Sequence, residues 1–147
     1  MTLDDIRHTL LEAVKTGKVG TPVALRLHLQ LTNADASLLS TAATLIGLCE
    51  PLFKVEPSQL FARSNAGGRQ LSLLCETESG RTCSITIGSG SAKAASLNLL
   101  LVGNHGVIRL EGSELFDESS LNTSDANIDR WGLAIEQSLV SNALATV

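Results

Sequence analysis

Tyrosine is absent from these 147 residues, and the other aromatics amount to one Trp and three Phe. A core must therefore be built from aliphatic side chains, chiefly Leu, Ile, Val and Ala. Basic runs are missing too: 11 Lys and Arg stand against 15 Asp and Glu, a formal net charge of −4. Nucleic-acid binders need a cationic footprint, and single-strand binders also need stacking aromatics. With neither present, no nucleic-acid partner is expected. No apolar run nears the ~20 residues of a membrane-crossing helix. The longest, Leu97 to Val102, is interrupted by Asn98, so no membrane partner is expected. The opening Met1-Thr2-Leu3-Asp4-Asp5-Ile6 places two acids where a secretory leader carries Lys or Arg.

Cysteine is sparse and odd in number. Cys49, Cys75 and Cys83 show no C-x-x-C spacing, which argues against a zinc site or a disulfide framework and for buried thiols in a reducing cytoplasm. Asn122-Thr123-Ser124 fits a glycosylation sequon, but without a leader it reads as an ordinary polar stretch. The length suits one domain, residues 1–147, able to bury about 70% of its unfolded surface.

What is present is periodicity. Leu3, Ile6, Leu10 and Val14 recur at helical spacing, Thr2 and Asp5 suit a capping box, and Gly17 suits the stop. The period then changes to two. Val23, Leu25, Leu27, Leu29 and Leu31 share one side of a strand, and Arg26, His28 and Gln30 share the other. Leu38, Ala42, Leu45, Ile46, Cys49 and Phe53 form the stripe of a second helix, capped by Asn33 or Asp35 and closed by Pro51 and Pro57. From about Gln59 to Glu111, strands alternate with turns at Ala66-Gly67-Gly68, Ser79-Gly80 and Gly103-Asn104-His105-Gly106. Consecutive strands joined this way are expected to pair antiparallel. Gly112 to Ser124 reads as an acidic, Ser-rich loop. A last helix has Asp125 as its cap and Ile128, Trp131, Ile135 and Leu139 on its buried side.

The order α-β-α-β-β-β-β-α predicts an α+β fold: a predominantly antiparallel, open-faced sheet of five or more strands with about three helices on one face. By alternation the uncovered face carries Arg26, His28, Gln30, Ser72, Thr82, Ser84, Thr86, Asn98 and Arg109, interrupted by Leu74, Leu100 and Val107. Such a mixture is the composition of a non-obligate interface.

Three stretches resemble the C-terminal, non-nucleotide domain of the Gfo/Idh/MocA oxidoreductases, the family of glucose–fructose oxidoreductase and inositol dehydrogenase. They are KTGKVGTPVALRLHL (Lys15 to Leu29), ASLLSTAATLIGL (Ala36 to Leu48) and LNLLLVGNHGVIRLEG (Leu97 to Gly112). The resemblance implies an α+β domain that supplies substrate contacts and oligomer interfaces beside a Rossmann domain. This sequence contains no G-x-G-x-x-G between strand and helix and no Glu-Lys-Pro motif. Aligning the Leu-Leu pair puts Ser40 where the family has its catalytic Asp and Thr44 where it has its catalytic His. Neither hydroxyl titrates near neutral pH, so neither can relay a proton from an alcohol.

Other candidates are weaker. Gly88-Ser89-Gly90-Ser91-Ala92-Lys93 follows a strand but lacks the phosphate-loop pattern, and reads as an interstrand loop. His8, His28 and His105 have no metal-ligand spacing; His28 is the best placed for function because Arg26 and Gln30 share its face. The leading expectation is a non-catalytic binding or assembly module, without cofactor, that forms a homodimer through Arg26, His28, Gln30, Ser84, Thr86, Asn98 and Arg109. The alternative is the substrate-domain subunit of a split NAD(P)-dependent dehydrogenase whose Rossmann subunit is a separate chain. A small hydrolase or isomerase using Asp35, His28 or Ser40 is the third.

Overall fold

Thr2 starts the first helix as its spacing predicts. In the computed structural model its hydroxyl accepts the Asp5 N–H at 3.2 Å, while the Asp5 carboxylate accepts the Thr2 N–H at 2.8 Å. This reciprocal cap satisfies two donors that an open helix end leaves bare. Helix α1 runs Leu3–Lys15, burying Leu3, Ile6, Leu10 and Ala13, and Gly17 leaves it at a φ of 79°. The structure describes residues 1–33, 37–65, 67–90, 93–112, 116–121 and 126–147, the side chains of 112 and 126–128 excepted.

Among the described residues the sheet has seven strands: β1 (Pro22–Leu31), β2 (Gln59–Ser64), β3 (Gln70–Glu76), β4 (Thr82–Ser89), β5 (Ser96–Gly103), β6 (Val107–Gly112) and β7 (Ala145–Thr146). Their spatial order is β6-β5-β1-β4-β3-β2-β7. Strand pairing departs from the sequence expectation at one place. β4 and β5 are consecutive in the chain, yet β1 lies between them, parallel to β4 and antiparallel to β5. The physical reason is burial: β1 offers Leu25, Leu27, Leu29 and Leu31 to the core, all almost fully covered, and an interior strand also satisfies both of its backbone edges. β7, two residues at the opposite edge, has too little sequence to show a period.

The register places one aliphatic layer on a single face. Leu27 pairs with Ile85 and Leu99, Ile85 with Leu73, and Leu73 with Ala62. All five are buried in the same core cluster as the inward residues of the helices. Val23 does not join them. A register shift between Pro22 and Ala24 turns Val23 outward, 41% exposed, and Pro22 is buried instead.

The second predicted helix is two. Helix α2 spans Leu38–Ile46 and α3 spans Cys49–Phe53. The Gly47 and Leu48 N–H groups reach back only three residues, to the Thr44 and Leu45 carbonyls, both at 3.1 Å; that tightening breaks the axis. Ser37, rather than Asn33, caps α2: its Oγ accepts the Ser40 N–H at 3.2 Å. Asp35 lies outside the described residues. Pro51 sits within the first turn of α3, where a missing N–H breaks no helical bond, so it does not close the helix. Lys54, at a φ of 59°, does.

The acidic stretch before the last helix is not all loop, since Glu118–Leu121 form a 3-10 turn. Helix α4 spans Ala126–Ser141 and buries Trp131, Ala134, Ile135 and Ser138; Leu139 is half-buried. Its predicted cap Asp125 and the Ile128 side chain are outside the described residues, as are Ala66 in the β2–β3 turn and Ser91 and Ala92. Gly88 and Ser89 belong to β4 and not to a loop. Ser138 ties α4 to the sheet: its Oγ accepts the Ala62 N–H at 2.8 Å and donates to the Ala143 carbonyl at 2.7 Å. Among the described residues no helix is long and apolar enough to cross a membrane.

Candidate functional site

Strand alternation places the remaining side chains on the face the helices leave uncovered. Paired residues point the same way, so two rows can be read straight across the strands. One runs Arg109, Leu100, Arg26, Ser84, Leu74 and Phe61, from β6 to β2. The next runs Glu111, Asn98, His28, Thr86, Ser72 and Arg63.

Six of the seven side chains singled out from the sequence meet here. Arg26, His28, Ser84, Thr86, Asn98 and Arg109 line one shallow depression of about 340 Å³, with Leu100 and Glu111. Gln30 stands beside it, its Nε2 3.2 Å from His28 Nε2. That contact is a hydrogen bond from the amide in the imidazole tautomer whose Nε2 is unprotonated. Arg109 Nη1 lies 3.9 Å from Glu111 Oε1, both side chains 68% exposed, so the pair contributes little in solvent. Arg26 has no hydrogen-bond or ion-pair partner among the described residues.

The face is also apolar in places. Leu74 is 49% and Val107 58% exposed, and Phe61, Leu100 and Val102 are half-buried. Arg63 lies over the Phe61 ring, 5.9 Å from its centroid.

On the helix side, Ser40 and Thr44 part company. Ser40 is exposed and lines a cleft of about 270 Å³ with Asn33, Ser37, Thr41, Glu118 and Ser119. Thr44 is buried, and its hydroxyl donates to the Ser40 carbonyl at 2.9 Å. It is therefore committed to its own helix and does not line the Ser40 cleft. Glu118 is the group that sequence reasoning missed, a carboxylate arriving from 78 positions after Ser40 with no local pattern to announce it. Both of its oxygens are already engaged by Thr32.

The histidines stay apart. His8 is exposed on α1, and His105 is exposed in the β5–β6 turn, its N–H donating to the Val19 carbonyl at 3.0 Å. The three thiols do gather, buried. Cys75 and Cys83 are directly paired across β3 and β4. A hydrogen bond with Cys49, then burial, pushes the Cys83 thiol well up, and burial pushes Cys75 up. Among the described residues no cluster of three or more His, Cys, Asp or Glu side chains is placed to hold a metal ion.

No family model and no curated protein matches the sequence. Solved structures do match the fold. A probable dehydrogenase from Thermotoga maritima superposes with a TM-score of 0.74 at 14% identity, over 97% of this chain and 61% of its own. Scyllo-inositol dehydrogenase from Lactobacillus casei, with bound NAD(H) and scyllo-inositol, gives 0.75 at 11% identity, over 97% and 62%. A putative myo-inositol dehydrogenase from Sinorhizobium meliloti gives 0.73 at 11%, over 96% and 61%. The chain thus spans about three-fifths of the length of these structures, and its fold is that of the C-terminal domain of the Gfo/Idh/MocA-type dehydrogenases.

Proposed function

We propose that residues 1–147 act as a dehydrogenase-type C-terminal domain whose task is assembly rather than chemistry, and that two copies meet through the open sheet face. The observation that carries this reading is the composition of that face. It holds Leu74, Val107, Phe61, Leu100 and Val102 among arginines, hydroxyls and amides, a mixture suited to association. Its size is also suitable. Seven strands of two to ten residues, about 4.8 Å apart and rising about 3.3 Å per residue, present roughly 750 Å². A stable complex buries about 800 Å² per partner.

The non-catalytic half of the proposal rests on Ser40 and Thr44, hydroxyls at the two positions that the family alignment makes acidic and basic. The three unpaired thiols suit a reducing, cytoplasmic compartment. Nothing in the charge of the chain favours a nucleic-acid partner.

Sedimentation or light scattering at micromolar concentration tests the dimer. The expected mass is near twice the 15.4 kDa of one chain, falling to one chain in Leu74→Arg, whose half-exposed position tolerates the change. A wild-type monomer across that range would sink the proposal.

The cleft beside Ser40 favours a second reading, in which this chain walls the substrate side of a separate nucleotide-binding subunit. Co-purification of a Rossmann-type protein with the tagged chain supports it. Binding of a nicotinamide cofactor by the purified chain alone contradicts both readings.

A further inference from the structure

We propose that the depression around Arg26 is a binding site for a small oxyanion, a carboxylate or phosphate group on a compact ligand. This anion supplies the charge that lets the face close on a second copy, a consequence that rests on the dimer proposed above. The chain as a whole is acidic, with a net charge of −4, yet this depression inverts the balance. Two guanidinium groups, Arg26 and Arg109, stand against one carboxylate, Glu111.

The two arginines are placed to converge. They occupy one row of the sheet, with Leu100 between them on β5, and strands two apart set their origins about 10 Å from each other. Side chains of that length reach a common point above Leu100. Arg26 rises from an interior strand hydrogen-bonded on both edges, so its base is rigid, and among the described residues its guanidinium has no hydrogen-bond or ion-pair partner. Among the described residues Arg109 is held by the long 3.9 Å contact to Glu111, which a better acceptor can displace. Neutral groups complete the rim: Ser84 is paired with Arg26 in register, and Thr86 and Asn98 flank His28. A planar guanidinium donating two parallel N–H bonds is the side chain best matched to carboxylate or phosphate oxygens. The volume, about 340 Å³, lies at the small end of ligand pockets, which span about 300–1,000 Å³.

Closure of the face explains why an anion is needed. Pairing with a second copy takes Arg26 out of water, and a desolvated charge without a counter-charge opposes association strongly. A bound oxyanion removes that opposition.

Binding is measured first on Leu74→Gln, an uncharged change two strands from Arg26 chosen to keep the chain monomeric, so that the site is tested apart from the dimer. Inorganic phosphate and citrate are titrated by calorimetry at constant ionic strength, with chloride as the control. Saturable binding of either probe is expected. Affinity should fall tenfold or more in Arg26→Gln and less in Arg109→Gln, with Trp131 fluorescence unchanged. Phosphate alone, citrate alone or both binding identifies the oxyanion that the site accepts. No saturable heat with either probe, or affinity indifferent to both arginine changes, overturns the site. In the wild-type chain, a dimer dissociation constant that tightens with the bound probe supports the coupling. A dimer equally tight in chloride leaves the dimer standing and overturns the coupling.

Discussion

The Glu118 carboxylate takes both donors of Thr32: the backbone N–H at 2.6 Å and the hydroxyl at 2.5 Å. These two bonds pin the 3-10 turn to the end of β1 across 86 positions of sequence. The same turn is tied to α1, because the Ser120 hydroxyl accepts the Leu3 N–H at 3.0 Å and the Asp117 N–H donates to the Met1 carbonyl at 2.9 Å. Glu118→Ala removes the charged acceptor and leaves two part-buried donors unmet. A loss of about 1–3 kcal/mol is expected, read as a lower urea midpoint with an unchanged slope. Glu118→Gln, which keeps one acceptor oxygen, should lose less.

Gly103 closes β5 where no side chain fits. A Cβ there would run into the Val19 carbonyl, and at Gly106 it would come within 2.5 Å of the Lys18 carbonyl. The Asn104 N–H and side-chain oxygen stitch this turn to Thr21 at 3.1 and 2.8 Å. Gly103→Ala should cost about 1–3 kcal/mol by overpacking. Gly67→Ala, whose nearest neighbour would be 4.0 Å away, should change stability by less than about 0.5 kcal/mol. Thermal melts of the two variants side by side check the contrast.

The three thiols should be silent in the folded chain. All are buried, which denies a reagent access, and Cys75 and Cys83 are also pushed well up in pKa, so those two hold little thiolate near neutral pH. A water-soluble aromatic disulfide reagent is expected to label none of them natively and all of them in denaturant. Rapid native labelling of any one would contradict the burial of Cys49 beside Cys75 and Cys83.

Acid should loosen the N-terminal corner first. The Thr2 N–H, then its hydroxyl, holds the Asp5 carboxyl below its ordinary value, and the Ser119 hydroxyl, then its N–H, does the same for Asp117. A carboxylate with a lowered folded pKa adds stability above its unfolded value, and that stability disappears as pH falls through the folded one. Urea midpoints should therefore fall below about pH 4, and less steeply in an Asp5→Asn, Asp117→Asn double variant. Equal acid limbs in the two proteins would remove these carboxylates as the cause.

Sequence by itself determined whatever repeats over a few residues. The Thr2–Asp5 cap is local chemistry, and it is found where the spacing puts it. The period of two in Leu25, Leu27 and Leu29 fixes which side chains share a face, because successive residues of a strand point in opposite directions. For that reason Arg26, His28, Ser84, Thr86, Asn98 and Arg109 could be grouped before their strands were assembled. The turns also made neighbours of β2 and β3, β3 and β4, and β5 and β6, but tertiary structure alone decided where β1 lies. Nothing within Pro22–Leu31 says that β1 separates β4 from β5, since alternation is the same for an edge strand and an interior one. That choice was made by the competition to bury β1's leucines and satisfy both its edges. It also set Arg26 between Arg109 and Ser84, and so made a depression out of six separate residues. The break at Gly47, the turning inward of Thr44 and the arrival of Glu118 at Thr32 were decided the same way, by contacts between segments that carry no mark of each other.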